Sequence, residues 1–149
     1  MKLIFLCLAI ILLNGCKEGK NFSHNFEQDQ WNYKDSLQFV FNNENTQTPY
    51  EIRLKADFTE EFPYTNLYLK FRIHEPDGKS SESLTNFVLT DPSGKWLIPK
   101  SWNSYSADFQ LSDSILFDKI GTYQFWIIQY LREDQLKGIK NLQLQIIKK

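Results

Sequence analysis

Few side chains in this sequence have the type and spacing that chemistry requires, and the clearest is a cysteine. Cys16 closes the segment Leu13-Asn14-Gly15-Cys16, directly after an unbroken apolar run at residues 3–13. An aliphatic residue three positions before a cysteine, with a small residue beside it, is the layout of a bacterial lipobox. The chemistry is thioether formation on the thiol and cleavage at its amino side, which leaves an acylated cysteine as first residue. Leu13 and Gly15 fit this layout, while Asn14 is larger than the Ala, Ser or Thr usual there. The alternative is an ordinary signal peptide followed by a cysteine buried near the start of the mature chain. Cys7 is the other cysteine and leaves with the apolar run, so the exported domain has no disulfide and no cysteine-type metal site.

A second chemistry is stacking. Trp96, Trp102 and Tyr105 fall in the segment WLIPKSWNSY, where a loop containing Pro99 could present a flat platform to a sugar ring or a protein partner. The alternative is that Trp96 and Trp102 close the open end of a sandwich. Acid–base chemistry has less to work with. Glu60-Glu61 and Asp113…Asp118 could pair carboxylates for glycoside hydrolysis, but acidic residues in loops are usually just solvated. The loop Asp91-Pro92-Ser93-Gly94-Lys95 offers oxygen ligands without the acidic density of a calcium site, and reads as a hairpin turn. His24 and His74 have no metal partners visible in the spacing. No nucleophile elbow, phosphate-binding loop or Cys/His pair is present. The expectation is a protein that is not an enzyme and uses no cofactor or metal.

The elements that must carry these residues divide the chain in three. Residues 1–15 read as a signal peptide, with Lys2 before the apolar run. As a helix that run would span roughly 16 Å, too short for a bilayer core of about 30 Å. Residues 16–29 read as the acylated cysteine and a flexible polar tether, reaching roughly 20 Å as coil. Residues 30–149 form a single domain, in which period-two alternation is the main signal. Tyr50, Ile52, Leu54, Ala56 and Phe58 alternate with Glu51, Arg53, Lys55 and Asp57, the mark of a half-buried strand. Shorter alternations occur at 37–41, 67–73, 85–89 and 142–146, and residues 121–131 are apolar on both faces, as in a central strand. Only residues 133–137 look helical, as one turn that could cover that strand. The 12 Phe, 7 Tyr and 4 Trp favour strands. The fold class is therefore all-β, an antiparallel two-sheet sandwich, immunoglobulin-like or jelly-roll-like, with at most one short helical turn near the C-terminus. Removing Lys2 with the signal takes 17 basic residues to 16 against 18 acidic, and no basic run suggests nucleic acid.

Several segments together resemble the gliding motility lipoprotein GldH family of Bacteroidota. Phe62-Pro63-Tyr64-Thr65-Asn66-Leu67-Tyr68-Leu69 is similar to that family's Y-P-Y-S-N-L-W-L-type segment. Pro76-Asp77-Gly78 and then Leu89-Thr90-Asp91-Pro92-Ser93-Gly94-Lys95-Trp96-Leu97 follow in the family's order. Phe117 through Gly121, Tyr123 and Phe125 resembles F-x-x-x-G-x-Y-x-F, and Gln129, Arg132, Leu136, Gly138 and Ile139 resemble a Q-x-x-R…L-x-G-I ending. The chain departs from the family at Ile98-Pro99-Lys100-Ser101-Trp102, where a Gly-rich stretch is usual, and at Ser83-Leu84, where an Asp-Thr pair is usual. The resemblance implies an outer-membrane lipoprotein, on the periplasmic face or the cell surface. It also implies protein partners in the machinery that moves and secretes adhesins. The rival expectation from the residues is a surface glycan-binding module built on Trp96, Trp102 and Tyr105.

Two tripeptides, Asp35-Ser36-Leu37 and Asp113-Ser114-Ile115, resemble the O-glycosylation signal of exported Bacteroidota proteins, which makes Ser36 and Ser114 candidate sites. Lys17-Glu18 resembles a surface-export signal of some lipoproteins, with one acid rather than several.

Overall fold

Alternation becomes strand structure over most of the chain, of which a computed structural model describes residues 19–149. The strands in chain order are β1 (Gly19–Asn25), β2 (Gln30–Asn32), β3 (Leu37–Asn43), β4 (Pro49–Phe58), β5 (Asn66–His74), β6 (Ser80–Val88), β7 (Lys100–Ser101), β8 (Ser104–Leu116), β9 (Gly121–Gln129), β10 (Gln135–Lys137) and β11 (Ile139–Lys148). All their pairings are antiparallel. They give a five-stranded sheet in the order β1-β11-β4-β8-β7, a four-stranded sheet in the order β3-β9-β5-β6, and a ribbon of β2 with β10.

Aromatic side chains join the two larger sheets face to face. Phe22 of β1 stacks on Phe39 of β3 at 5.6 Å, Phe41 of β3 meets Tyr50 of β4 at 5.4 Å, and Phe87 of β6 meets Phe109 of β8 at 4.4 Å. The two-sheet sandwich read from the sequence is the architecture found. In β4 the side chains of Tyr50, Ile52, Leu54, Ala56 and Phe58 are buried in the core. On the opposite face Arg53 bonds Glu51 at 2.7 Å and Asp108 at 2.8 Å, and Asp57 accepts bonds from Ser106 and Asn141, each at 2.6 Å. A slip of one residue would exchange these faces, so the pattern itself fixes the register.

Two expectations are corrected. Residues 19–29 are not a flexible tether, because β1 pairs with β11 from Gly19↔Ile147 to Asn25↔Asn141. The segment reads as polar because β1 is an edge strand whose residues are mostly exposed. It is held by its ladder, by Phe22, and by Phe26, whose buried ring stacks on Trp31 at 4.9 Å. Residues 133–137 are not helical either. The buried carboxamide of Gln129 donates to the carbonyl of Glu133 at 2.6 Å and accepts the amide of Leu131 at 3.1 Å. That staple holds the chain in a loop, Arg132 takes a positive φ of 61°, and the chain then enters β10. The helical content among the described residues is one 3-10 turn at Glu27–Asp29. Cross-strand neighbours cover the outer face of β9 instead: Gln38 and Arg72 lie opposite Trp126, and Lys70 lies opposite Ile128.

Register also defines two ends. At one end lie Gly19, Ile147, Pro49, Leu116 and the loop 117–120. At the other lie Asn25, Ile139, Phe58, Tyr105 and the β2–β10 ribbon. The ten residues of β4 separate these ends by roughly 30 Å at strand rise. Trp31 closes the second end. It is fully buried, and its indole N–H donates to the carbonyl of Asp35 at 2.6 Å. Trp31→Ala should cost about 3–5 kcal/mol by cavity formation, read as a lower midpoint in urea unfolding followed by circular dichroism. An unchanged midpoint would show that this end packs some other way.

Candidate binding site at the far end of the sandwich

The site is built on the hairpin of β7 and β8. Ser101 pairs with Ser104, leaving Trp102-Asn103 as a two-residue loop. Tight hairpin loops need positive φ at a central position, which Gly, Asn or Asp supplies at least cost. Here Trp102 occupies it with φ 51° while its side chain is 95% exposed. Holding such a residue there costs on the order of 1–3 kcal/mol, and its exposed ring returns no packing energy in exchange.

Tyr105, just after the turn, lies parallel to Trp96 with ring centroids 4.2 Å apart and planes 10° apart, and Trp96 in turn reaches Phe58 at 6.1 Å. The aromatic wall is thus rooted in the core. Lys100 places its Nζ 5.2 Å from the Tyr105 ring centroid and 3.0 Å from Glu60 Oε1, and the Tyr105 hydroxyl donates to the same oxygen at 3.4 Å. Its bond to Lys100 holds the Glu60 carboxyl below the usual carboxylate range, and the same bond raises the Lys100 ammonium above its own. The Glu60 contribution is therefore lost only as pH falls through its lowered pKa, and that of Lys100 only as pH rises through its raised one. The bridge stays charged throughout the neutral range.

Beside this wall lies an open hollow of about 490 Å³, lined by Asp29, Glu60, Glu61, Asn103, Trp102 and Tyr105 with Thr59 and Lys100. Gly138 ties together the two loops that contribute Asp29 and Thr59 to it. The Gly138 amide donates to the carbonyl of Asp29 at 2.8 Å, and its carbonyl accepts the amide of Thr59 at 2.9 Å. An aromatic platform beside carboxylates, a carboxamide and an ammonium can stack on a ligand and hydrogen-bond its rim.

The two tryptophans singled out from sequence are neither both plugs nor both platforms. Trp31 is the buried plug, Trp96 is a half-buried support, and Trp102 is the exposed tip. Asp29 and Glu60 were not legible as members of the site, since contacts between loops distant in sequence bring them beside Lys100, Trp102 and Asn103. The sequence signal was the aromatic loop WLIPKSWNSY, read there as a loop containing Pro99 rather than as a hairpin.

The remaining candidates are dispersed. Asp91 Oδ1 accepts bonds from Ser93 N at 2.9 Å, Ser93 Oγ at 2.6 Å and Lys95 N at 3.0 Å, so this carboxylate is used in building its own turn. Asp113 is engaged by Lys149 at 2.6 Å and Asp118 by Lys119 at 3.4 Å. His24 packs edge-on against Phe26, and His74 shares a hydrogen bond with Ser80 Oγ at 3.1 Å. Ser36 and Ser114 are both exposed. Cys16 lies outside the described residues. Gln129, Leu136, Gly138 and Ile139 prove to be the buried scaffold of the far end.

A family model described as GldH lipoprotein matches residues 20–146. A gliding motility lipoprotein GldH homolog of Christiangramia forsetii is 26% identical over 137 residues, covering 91% of this chain and 84% of that protein.

Proposed function

Because the chain belongs to the GldH lipoprotein family, a family linked to gliding motility, we propose that it is a non-enzymatic accessory lipoprotein held at the outer membrane. In this reading the acylated Cys16 supplies the anchor, at about 0.8 kcal/mol per buried CH₂. The domain docks through its far end onto protein components of the machinery that moves and secretes adhesins. The observation that carries the reading is Trp102, a large aromatic held fully exposed in a left-handed conformation. Strain retained at a position with no packing return is a mark of a contact residue, and exposed tryptophan is prominent among residues that dominate protein interfaces. Leu97 and Val88 are also exposed toward the same end.

Deleting the gene should slow colony spreading or reduce adhesin export in a gliding host. Normal spreading together with a normal secretome removes this reading. The hollow beside Trp102 and Tyr105 favours a second reading, a surface glycan-binding module, in which a sugar ring stacks on Trp102 while Glu60, Glu61 and Asn103 bond its hydroxyls. Glycan-array binding that Trp102→Ala abolishes would select the second reading over the first.

A further inference from the structure

The end of the sandwich opposite Trp102 also carries exposed apolar side chains, and the chain's path says what faces them. Only Lys17 and Glu18 separate Cys16 from Gly19, so the thiol lies within roughly 10 Å of the start of β1 even when those residues are fully extended. The start of β1 cannot peel away to lengthen this link without breaking its ladder. Gly19 pairs with Ile147, and a Cβ at Gly19 would stand 2.8 Å from the carbonyl oxygen of Ile146, so the strand is seated tightly. The neighbouring β3–β4 turn at 44–48, the β5–β6 turn at 75–79 and the loop at 117–120 all close on this same end.

Here Leu116 is 56% exposed and Ile120 is 68% exposed. Both stand where loops and strand ends leave the core, and neither fills it. The charges around them are balanced. Lys119 gathers Glu75, Asp77 at 3.5 Å and Asp118 at 3.4 Å, and Lys149 holds Asp113. Counting Lys20, Lys79, Lys148 and Glu44 as well, five ammonium groups face five carboxylates at this end. An end whose side-chain charges balance, with four of the five carboxylates already paired to lysines, approaches an interface without a large electrostatic penalty.

We infer that this end is a membrane-docking face, on which Leu116 and Ile120 enter the lipid–water boundary and hold the domain upright with Trp102 roughly 30 Å away. The inference rests on acylation of Cys16. Because the face is neutral, apolar burial drives docking, and the fraction of anionic lipid has little influence on it.

The test uses the acylated chain in vesicles of phosphatidylethanolamine with phosphatidylglycerol. The mature sequence has no thiol besides the acylated Cys16, so Leu116→Cys, Ile120→Cys and Trp102→Cys each accept a single environment-sensitive fluorophore. At 116 and 120, emission should shift to the blue, lipid-borne nitroxide should quench it, and aqueous iodide quenching should fall several-fold relative to position 102. Vesicles of phosphatidylcholine alone should give the same pattern. Labels at 116 and 120 as open to iodide as the label at 102, on protein that still sediments with vesicles, overturn the inference alone. Intact protein that fails to sediment overturns the anchor reading and this inference together.

Discussion

Gly138→Ala should unfold the domain or leave it severely destabilised. The residue has φ 76°, and a Cβ there would stand 2.2 Å from the Phe62 amide nitrogen and 2.6 Å from Phe62 Cα. These are backbone atoms, so no rotamer change relieves the contact. The left-handed conformation costs about 1–3 kcal/mol for a residue other than glycine, and forcing packed backbone apart adds about 1–3 kcal/mol. A domain of this size is stable by about 5–15 kcal/mol, so the substitution removes a large share. The loss also reaches the candidate site, because Gly138 ties Asp29 to Thr59 through its two backbone bonds. Gly94→Ala is the control. Gly94 also has positive φ, at 86°, but nothing lies within 4 Å of its Cβ position, so only the same conformational cost of about 1–3 kcal/mol applies, with no clash added to it. Urea midpoints that fall equally for the two variants would refute the role given to close approach at Gly138.

Gly138 also shows where sequence reading stops. Its neighbourhood, residues 133–137 followed by a glycine, carries the local signature of a capped helical turn. The structure overrides that signature through a residue eight positions earlier in the chain than the capped end. The carboxamide of Gln129 claims the carbonyl of Glu133 and the amide of Leu131, and β2 claims the backbone that follows. A side chain that hydrogen-bonds backbone from within the core has no periodic signal. Where apolar residues line one face of a strand, as in β4, β5 and β11, alternation was enough to place it, and β9 was read from its apolar residues on both faces. β8 is the longest strand and went unread, because its pairing with β4 shifts register between Tyr50 and Ile52 and again between Ile52 and Arg53. Those irregularities break the alternation after Leu111 and leave Asp113 and Ser114 exposed. β1 was missed for a different reason. An edge strand with little burial has the composition of a linker, and the ladder to β11 that stabilises it involves no side-chain pattern. The same limit applies to the candidate site. The aromatic residues could be named from the sequence, but the burial of Trp31 and the exposure of Trp102 depend on which loops meet at the far end.

Trp102→Gly should separate stability from function, and that separation is the strongest test of the site. Glycine accepts the positive φ that tryptophan holds at a cost. The buried area lost is negligible, since the ring is 95% exposed. The variant should therefore fold with an unchanged or slightly raised urea midpoint. An exposed tryptophan that anchors an interface contributes about 2 kcal/mol or more to binding, about a 30-fold loss of affinity when it is removed. Crosslinking of the acylated variant in outer membranes, followed by pull-down, should recover correspondingly less of the partner, and colony spreading should fall toward that of the gene deletion. Trp96→Ala would give a different signature, because Trp96 supports Tyr105 and touches Phe58. It should lower the midpoint as well as weaken capture. A Trp102→Gly variant that captures its partner and spreads as well as the parent, at equal stability, would show that the exposed ring is not the contact. In that case the strained turn would have no functional explanation in the docking reading. Loss of capture at full stability would assign the interface to the hairpin tip, at the end of the domain farthest from its lipid.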